Sequence, residues 1–419
     1  MINKISFCGL SHLGLVYSGI YSKFAKQTVC YDTDFELIKN LKKKKLKIRE
    51  PKLKSNLFDL RKKIKFSNNI DDILNSDLVF ISLDVPTNKF GESDYSKINN
   101  LINLIKNRLK KGCSLIILSQ LFPGYCDKIF SKNKFNLYYQ VETLVFGQAV
   151  ERALNPERLI IGSNSKKIVD KKYNFLLKKF KCPKLIVSYK TAEMTKISIN
   201  IILTSTAMTS NYLSLLSEKL EFDWQQVSKS LRLDKRIGKY AYLNPSLGLS
   251  GGNLERDISN LKKISKKYKL DTSIIKSWNK ISNLRKNWIS NILIKLSKKF
   301  KLKKISMLGL SYKTDTNSIK NSNAIYTIKK MKKFHFVCTD PQVNFDQISK
   351  IKNVEIKKIN ECIKSSKIVI ISTPWKQFLN YLKANRKILK NKILIDPFNL
   401  LGSINGLKYN KRFTLGDKI

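Results

Sequence analysis

The segment Lys4-Ile5-Ser6, running into Gly9-Leu10-Ser11, returns near the other end of the chain as Lys304-Ile305-Ser306 running into Gly309-Leu310-Ser311. In each copy a helix-length segment comes next. A short apolar strand then stops at an acid, Val29-Cys30-Tyr31-Asp32 in the first copy and Val337-Cys338-Thr339-Asp340 in the second. The pairing continues with Ser76–Ser82 (SDLVFIS) against Ser366–Ser372 (SKIVIIS), both short apolar runs of the kind buried on two faces of a parallel sheet. This repeat predicts two doubly wound α/β modules, one at each end.

Between the modules the chain changes character. From Pro183 to Gly238, and again from Gly252 to Gly309, no glycine or proline interrupts it, so the middle is expected to be helical. The break between those stretches gathers Gly238, Pro245, Gly248, Gly251 and Gly252, which reads as a loop whose backbone approaches something closely. These shifts divide the chain into an α/β domain over 1–190, a helical domain over 191–298 and a second α/β domain over 299–419.

The 419 residues carry 81 Lys and Arg against 31 Asp and Glu, a formal net charge of +50. Such a charge invites nucleic-acid binding, because lysines near phosphates release counterions. The lysines, however, rise together with Asn and Ile along the whole chain, as at Lys42–Lys45, Lys166–Lys172 and Lys262–Lys267. They form no single stripe interleaved with aromatics, so no dedicated nucleic-acid function is expected. The same surface favours the approach of an anionic small substrate. With 42% hydrophobic and 10% aromatic residues the chain can build packed cores. No apolar run approaches the roughly 18 residues of a membrane helix. Met1–Ile5 leads straight into a strand-like segment without a signal-peptide core, so a soluble, cytoplasmic protein with no membrane partner is expected. Seven scattered cysteines without a C-x-x-C pair, and two histidines, His12 and His335, argue against a metal site or a disulfide framework.

Gly9-Leu10-Ser11-His12-Leu13-Gly14 lies between a strand and a helix, with Asp32 closing the next strand. This is a dinucleotide arrangement: Gly9 for the tight turn, the helix N-terminus for the pyrophosphate, Gly14 for close packing and Asp32 for the adenosine ribose hydroxyls. A carboxylate there repels a 2′-phosphate and so favours NAD over NADP. Ser11 takes the place of the middle glycine, where a side chain hinders the backbone's approach to the pyrophosphate. The pattern by itself also describes a plain strand–helix turn; the strand context and Asp32 favour the binding loop.

Taken in order, Gly9–Gly14, Val85-Pro86-Thr87, Asn155-Pro156-Glu157-Arg158, Ala192-Glu193-Met194-Thr195-Lys196 through Asn200, Asp234–Gly238, Tyr242–Asp257 and Gly309–Ala324 resemble the UDP-glucose/GDP-mannose dehydrogenase family over nearly the whole chain. The Tyr242–Asp257 block is similar to the substrate loop of the family's UDP-glucose 6-dehydrogenases. The resemblance implies an NAD-binding Rossmann domain, a central helical dimerisation domain with apolar faces such as Ile197, Ile201 and Met208, and a C-terminal UDP-sugar-binding Rossmann-like domain. It also implies a homodimer that oxidises a nucleotide-sugar, UDP-glucose by the form of the loop, at C6 with NAD. In the family the aldehyde is held on a cysteine as thiohemiacetal and then thioester.

By the same resemblance Lys196, Asn200 and Asp257 would position a water and stabilise charge on the substrate oxygen, and Glu142 would be the hydrolytic carboxylate. Gly9, Ser11, Gly14, Asp32, Thr87, Gln120, Arg256 and Lys320 would face the cofactor. Arg236, Tyr242, Asn244, Ser246, Ser250 and Lys313 would hold the diphosphate and sugar. Lys196 and Asn200 are spaced to share one helix face, although in a Lys- and Asn-rich chain that spacing also describes a solvated face. Arg236 equally suits a surface ion pair, and Glu142 a solvated loop acid. The nucleophile position is held by Asn253, and no cysteine lies in or near that loop. A carboxamide nitrogen is conjugated and non-nucleophilic, so no covalent intermediate forms there. Gln120 replaces a threonine, Val145 and Phe146 replace an Arg-Glu pair, and Lys320 and Phe398 replace arginines. Two functions follow: an NAD-dependent nucleotide-sugar dehydrogenase whose second oxidation lacks its usual nucleophile, or a non-catalytic NAD- and nucleotide-sugar-binding paralogue acting as partner or regulator.

Overall fold

Both echoed segments become central strands of parallel sheets. The computed structural model describes residues 1–59, 63–87, 93–130 and 135–417, which form two units, Met1–Ile199 and Asn200–Ile419. In the first unit β1 (Ile2–Cys8), β2 (Ala25–Tyr31), β3 (Ile64–Ser67), β4 (Leu78–Ile81), β5 (Ser114–Ile117), β6 (Asn136–Gln140), β7 (Leu159–Gly162) and β8 (Lys184–Val187) make one sheet. Its order is β3-β2-β1-β4-β5-β6-β7-β8, parallel throughout except where β6 meets β7. In the second unit β9 (Lys304–Leu308), β10 (His335–Thr339), β11 (Val354–Ile356), β12 (Ile368–Ile371), β13 (Ile393–Ile395) and β14 (Lys411–Phe413) follow the order β11-β10-β9-β12-β13-β14, all parallel. In both sheets the chain order reverses at the first strand, between β1 and β4 and between β9 and β12, which opens a crevice at the strands' carboxyl ends. The apolar runs of β4 and β12 are buried along their whole length, as strands covered on both faces must be.

The glycine-free middle is helical as expected, with helices at Tyr189–Leu220, Trp224–Leu233, Asn253–Lys267, Ser273–Lys286 and Trp288–Lys299. Asp223 caps the second of these through the Gln225 and Gln226 amides. Trp288, Ile289, Ile292, Leu293 and Leu296 form one face of the last helix and join the core of the second sheet beside Met307 and Phe336. A helix lies between the first two strands of each copy, but it starts at different places. After Gly9 a helix begins at His12, but after Gly309 an irregular segment runs to Ser322 and the helix starts only at Asn323. Among the described residues no helix is long and apolar enough to cross a membrane.

Candidate functional site

The turn after β1 holds Gly9 at φ +94°, and a side chain there would come within 2.7 Å of the Leu83 backbone. A Cβ on Gly14 would fall 2.0 Å from the Gly9 carbonyl, so helix and turn approach as only glycine permits. Ser11 donates its hydroxyl to the Ser82 carbonyl at 2.8 Å and makes no side-chain cap to the His12–Tyr21 helix. Its hydroxyl therefore does not compete with an anion for the helix's first amides. Asp32 accepts from the Leu10 amide at 2.7 Å and the Asp34 amide at 3.0 Å, one on each oxygen, which leaves lone pairs for ribose hydroxyls. The glycine cradle, the helix end and this acid fit a dinucleotide of the NAD type. Thr87 is half-buried and bridges to Ser93. Gln120, also half-buried, follows Ser119, whose hydroxyl donates to the Leu83 carbonyl at 2.7 Å.

Glu142, just beyond β6, meets Lys196: the ammonium donates to the Glu142 carbonyl and lies 3.8 Å from its carboxylate, with both side chains 14% exposed. The carboxylate also accepts from the Leu144 amide, so Glu142 is an engaged group rather than a solvated loop acid. Two carboxylates assigned no role of their own from the sequence organise the surroundings. Glu193 is fully buried and accepts from the Gly124 amide at 2.5 Å and the Cys126 amide at 2.8 Å. It thereby ties the end of the Ser119–Gly124 segment to the helix that carries Lys196; burial pushes its carboxyl up. Glu50 does a similar service for the turn after β1, joining His12 to the Gly147 and Ala149 amides. What each of them holds carries no local sequence signal, since their partners lie far along the chain.

In the second unit Asn200 donates to the carboxylate of Asp257, which is fully buried and lies 3.4 Å from the Arg256 guanidinium. The loop from Tyr242 to Gly252 is strapped down residue by residue. Ser210 donates to the Tyr242 carbonyl at 3.0 Å, the Trp224 indole to the Leu243 carbonyl at 2.9 Å, and Arg232 to the Asn244 side chain at 2.7 Å. Asn211, fully buried and likewise unmarked in the sequence, donates to the Ser246 hydroxyl at 3.1 Å and accepts from the Ser246 amide at 2.7 Å. Leu249 donates its amide to Ser282 at 2.9 Å. The close approach expected of this loop's glycines has identifiable partners. A Cβ on Gly248 would meet the Ser282 carbonyl at 2.5 Å, one on Gly251 the Tyr312 ring at 2.9 Å, and one on Gly252 the Lys320 ammonium at 2.9 Å. Ser250 is half-buried, Tyr242 is exposed, and Lys313 lies with its ammonium 5.9 Å from the Tyr312 ring. Arg236 stands apart, its side chain 89% exposed and paired with Asp234 at 2.6 Å.

Asn253 is the exposed first residue of the Asn253–Lys267 helix. No cysteine substitutes for it within its unit, where the two that exist are buried, Cys338 in β10 and Cys362 in the Ile359–Lys364 helix. Burial pushes the Cys362 thiol up to about 12, so it is no thiolate at neutral pH. Among the described residues no group of three or more metal-ligating side chains comes together.

Models of the UDP-glucose/GDP-mannose dehydrogenase family match the chain in order: the NAD binding domain over residues 3–181, the central domain over 190–283 and the UDP binding domain over 306–403. The chain belongs to this family. It is 31% identical to the UDP-glucose 6-dehydrogenase of Rickettsia bellii, covering 99% of this chain and 100% of that protein. Among solved structures, a UDP-glucose dehydrogenase from Pyrobaculum islandicum superposes with a TM-score of 0.88 at 19% identity, covering 100% of this chain and 98% of the other. A UDP-D-ManNAc dehydrogenase from Pyrococcus horikoshii does so with a TM-score of 0.84 at 20% identity, covering 99% of each. At those identities the likeness is one of fold. Membership makes the chain an NAD-dependent nucleotide-sugar dehydrogenase. The NAD binding domain match falls on the sheet that carries Gly9, Gly14 and Asp32.

Proposed function

We propose that this dehydrogenase acts on the C6 alcohol of a UDP-sugar, UDP-glucose by the form of the Tyr242–Gly252 loop, as a cytoplasmic homodimer, and that Asn253 alters its second step. The observation that carries the reading is the loop itself, fixed at both ends of Ser246 by Asn211 and closed by Asn253 one turn before the buried, Asn200-bound Asp257. Ile202, Tyr212, Leu216 and Leu220 on the long central helix are 65%, 51%, 37% and 70% exposed, an apolar row that supports a second copy as partner. The domain roles follow the three expected segments: cofactor over 1–190, dimer over 191–298 and UDP group over 299–419.

NAD, when bound, supplies the hydride acceptor. Gly9, Gly14, the helix end at Ser11 and Asp32 would hold its pyrophosphate and ribose, and by the family resemblance Thr87, Gln120, Arg256 and Lys320 would complete the contacts. By the family resemblance, Asp257, oriented by Asn200, would accept the C6 hydroxyl proton through a water, and the Lys196 ammonium would offset the charge left on oxygen. Arg236, Tyr242, Asn244, Ser246, Ser250 and Lys313 bind the diphosphate and sugar. With an amide at position 253 no carbon–sulfur bond forms. The aldehyde leaves, or its hydrate is oxidised directly with Glu142 as base.

The test is NADH formed per UDP-glucose consumed, in a single turnover with excess NAD and a carbonyl trap. One NADH with trapped aldehyde establishes a two-electron enzyme, and Asn253→Cys should then raise the count to two. Two NADH with sugar acid identifies the hydrate route. No NADH despite saturable UDP-glucose binding overturns the catalytic reading in favour of a non-catalytic partner.

A further inference from the structure

We infer that Glu50 and His12 form a positioning node that fixes the cofactor turn against the segment bearing Glu142. The inference rests on the reading of Gly9–Gly14 as the NAD site. The Glu50 side chain is 0% exposed. One of its oxygens accepts from His12 Nε2 at 2.9 Å and from the Gly147 amide at 2.9 Å; the other accepts from the Ala149 amide at 2.9 Å. Burial pushes this carboxyl up, but the bonds from His12 and the two amides outweigh it and hold it below its ordinary value. Glu50 is therefore a buried anion at neutral pH whose donors come from two places. His12 opens the His12–Tyr21 helix, whose end receives the pyrophosphate, while Gly147 and Ala149 lead into the Ala149–Leu154 helix.

A second contact joins the same two segments. The His12 ring stacks on Phe146, with centroids 4.1 Å apart and planes 20° from parallel, and Phe146 lies only four positions beyond Glu142. Packing alone already holds the helices, since Leu15, Val16, Ala149 and Val150 share one apolar core. What the directional bonds add is the orientation of the residue beside the turn, because His12 cannot shift without leaving both Glu50 and Phe146. Its backbone amide lies in the helix's first turn, among those an anion would meet.

The experiment uses the full chain, titrating NAD and UDP-glucose separately by calorimetry and recording thermal unfolding. His12→Phe keeps the ring stack and removes the bond to Glu50; Glu50→Gln keeps the shape and removes the charge. Each should weaken NAD about tenfold, on the scale of one charge-assisted bond, while UDP-glucose affinity stays within about twofold. His12→Gln, which retains a donor, should recover part of the loss. In turnover the effect should appear in KM for NAD rather than in kcat. NAD affinity unchanged in His12→Phe overturns the inference, as does equal weakening of both ligands with a lowered Tm, which is a merely structural role. Should Glu50→Gln fail to fold, the two His12 variants decide alone. Gly9→Val separates the layers: if it leaves NAD binding intact the site assignment itself falls, whereas if it abolishes binding and His12→Phe does nothing, only the node falls.

Discussion

The two sheets repeat one another down to single hydrogen bonds and then use the same acid differently. In the first, Gly9 donates to the Tyr31 carbonyl at 2.9 Å and Leu10 to Asp32 at 2.7 Å; in the second, Gly309 donates to Thr339 at 2.8 Å and Leu310 to Asp340 at 2.7 Å. The serine contacts already diverge: Ser6 meets Ser76 at 2.6 Å, whereas Ser366, which matches Ser76, donates to the Lys304 carbonyl at 2.6 Å. Among the described residues Asp32 then meets one further backbone amide, that of Asp34. Asp340 takes in addition the Ser311 amide and hydroxyl, the Gln342 and Val343 amides and the Trp375 indole. One acid retains capacity for a ligand, whereas the other is absorbed into the fold. A shared strand–turn–acid frame is therefore not evidence of a shared ligand; the acid's remaining lone pairs are.

The harshest way to break this comparison is to replace both acids with asparagine. An amide at 340 would set its own NH2 among a ring of donors and leave several unmatched, so Asp340→Asn should cost about 3 kcal/mol of unfolding free energy. Asp32→Asn, near solvent with two bonds to lose, should cost under about 1 kcal/mol. Urea unfolding of both variants, followed by a probe in each unit, reads the difference. Equal costs would mean that the two acids are used alike.

The echo breaks at one matched position, and pH should expose it. Asp77 before β4 corresponds to Lys367 before β12. Burial pushes the Asp77 carboxyl up, but Lys110, Lys172 and the amides of Asn3 and Lys4 outweigh that and hold it well below its ordinary value. A depressed carboxyl contributes stability above its unfolded pKa, about 3.9, and loses it as pH falls below. Lys367, set over the Phe300 ring at 4.7 Å, is not a carboxylate. Acidification below about pH 4 should therefore loosen the first unit before the second. Asp77→Asn should cost about 2 kcal/mol at neutral pH and flatten the acid limb. Simultaneous acid unfolding of both units in the wild type would refute the assignment.

The sheets were legible in the sequence because their strands are short, apolar and repeated, and the helical middle because no glycine or proline interrupts it. The late start of the helix after Gly309 shows where the echo ends. Thr314 occupies the position matching Gly14, where a Cβ in the first unit would strike the turn carbonyl at 2.0 Å. A helix starting in the corresponding place would clash, and the chain runs irregularly to Ser322 instead. The site residues taken from motif order could be named in advance, but not what holds them. Glu50 reaches a partner 97 residues away, Glu193 one 69 away and Asn211 one 35 away. Single buried polar residues with distant partners leave no local pattern.

The smallest effect sharpens the comparison most, because it reads the spare capacity of Asp32 directly. On the proposed reading, Asp32 with its charge intact both accepts ribose hydroxyls and repels a 2′-phosphate. Asp32→Asn keeps an acceptor for the Leu10 amide, so the turn should survive, but one ribose contact weakens and the repulsion disappears. NAD affinity should fall and NADP affinity rise until their ratio has moved by about tenfold, some 1.4 kcal/mol. Calorimetric titration with both cofactors measures the ratio, and the stoichiometry should remain one per chain because Asp340 offers no second site. An unchanged ratio would mean that Asp32, like Asp340, serves only the fold, and the difference between the two modules would have to be sought at the Gly9–Gly14 turn instead.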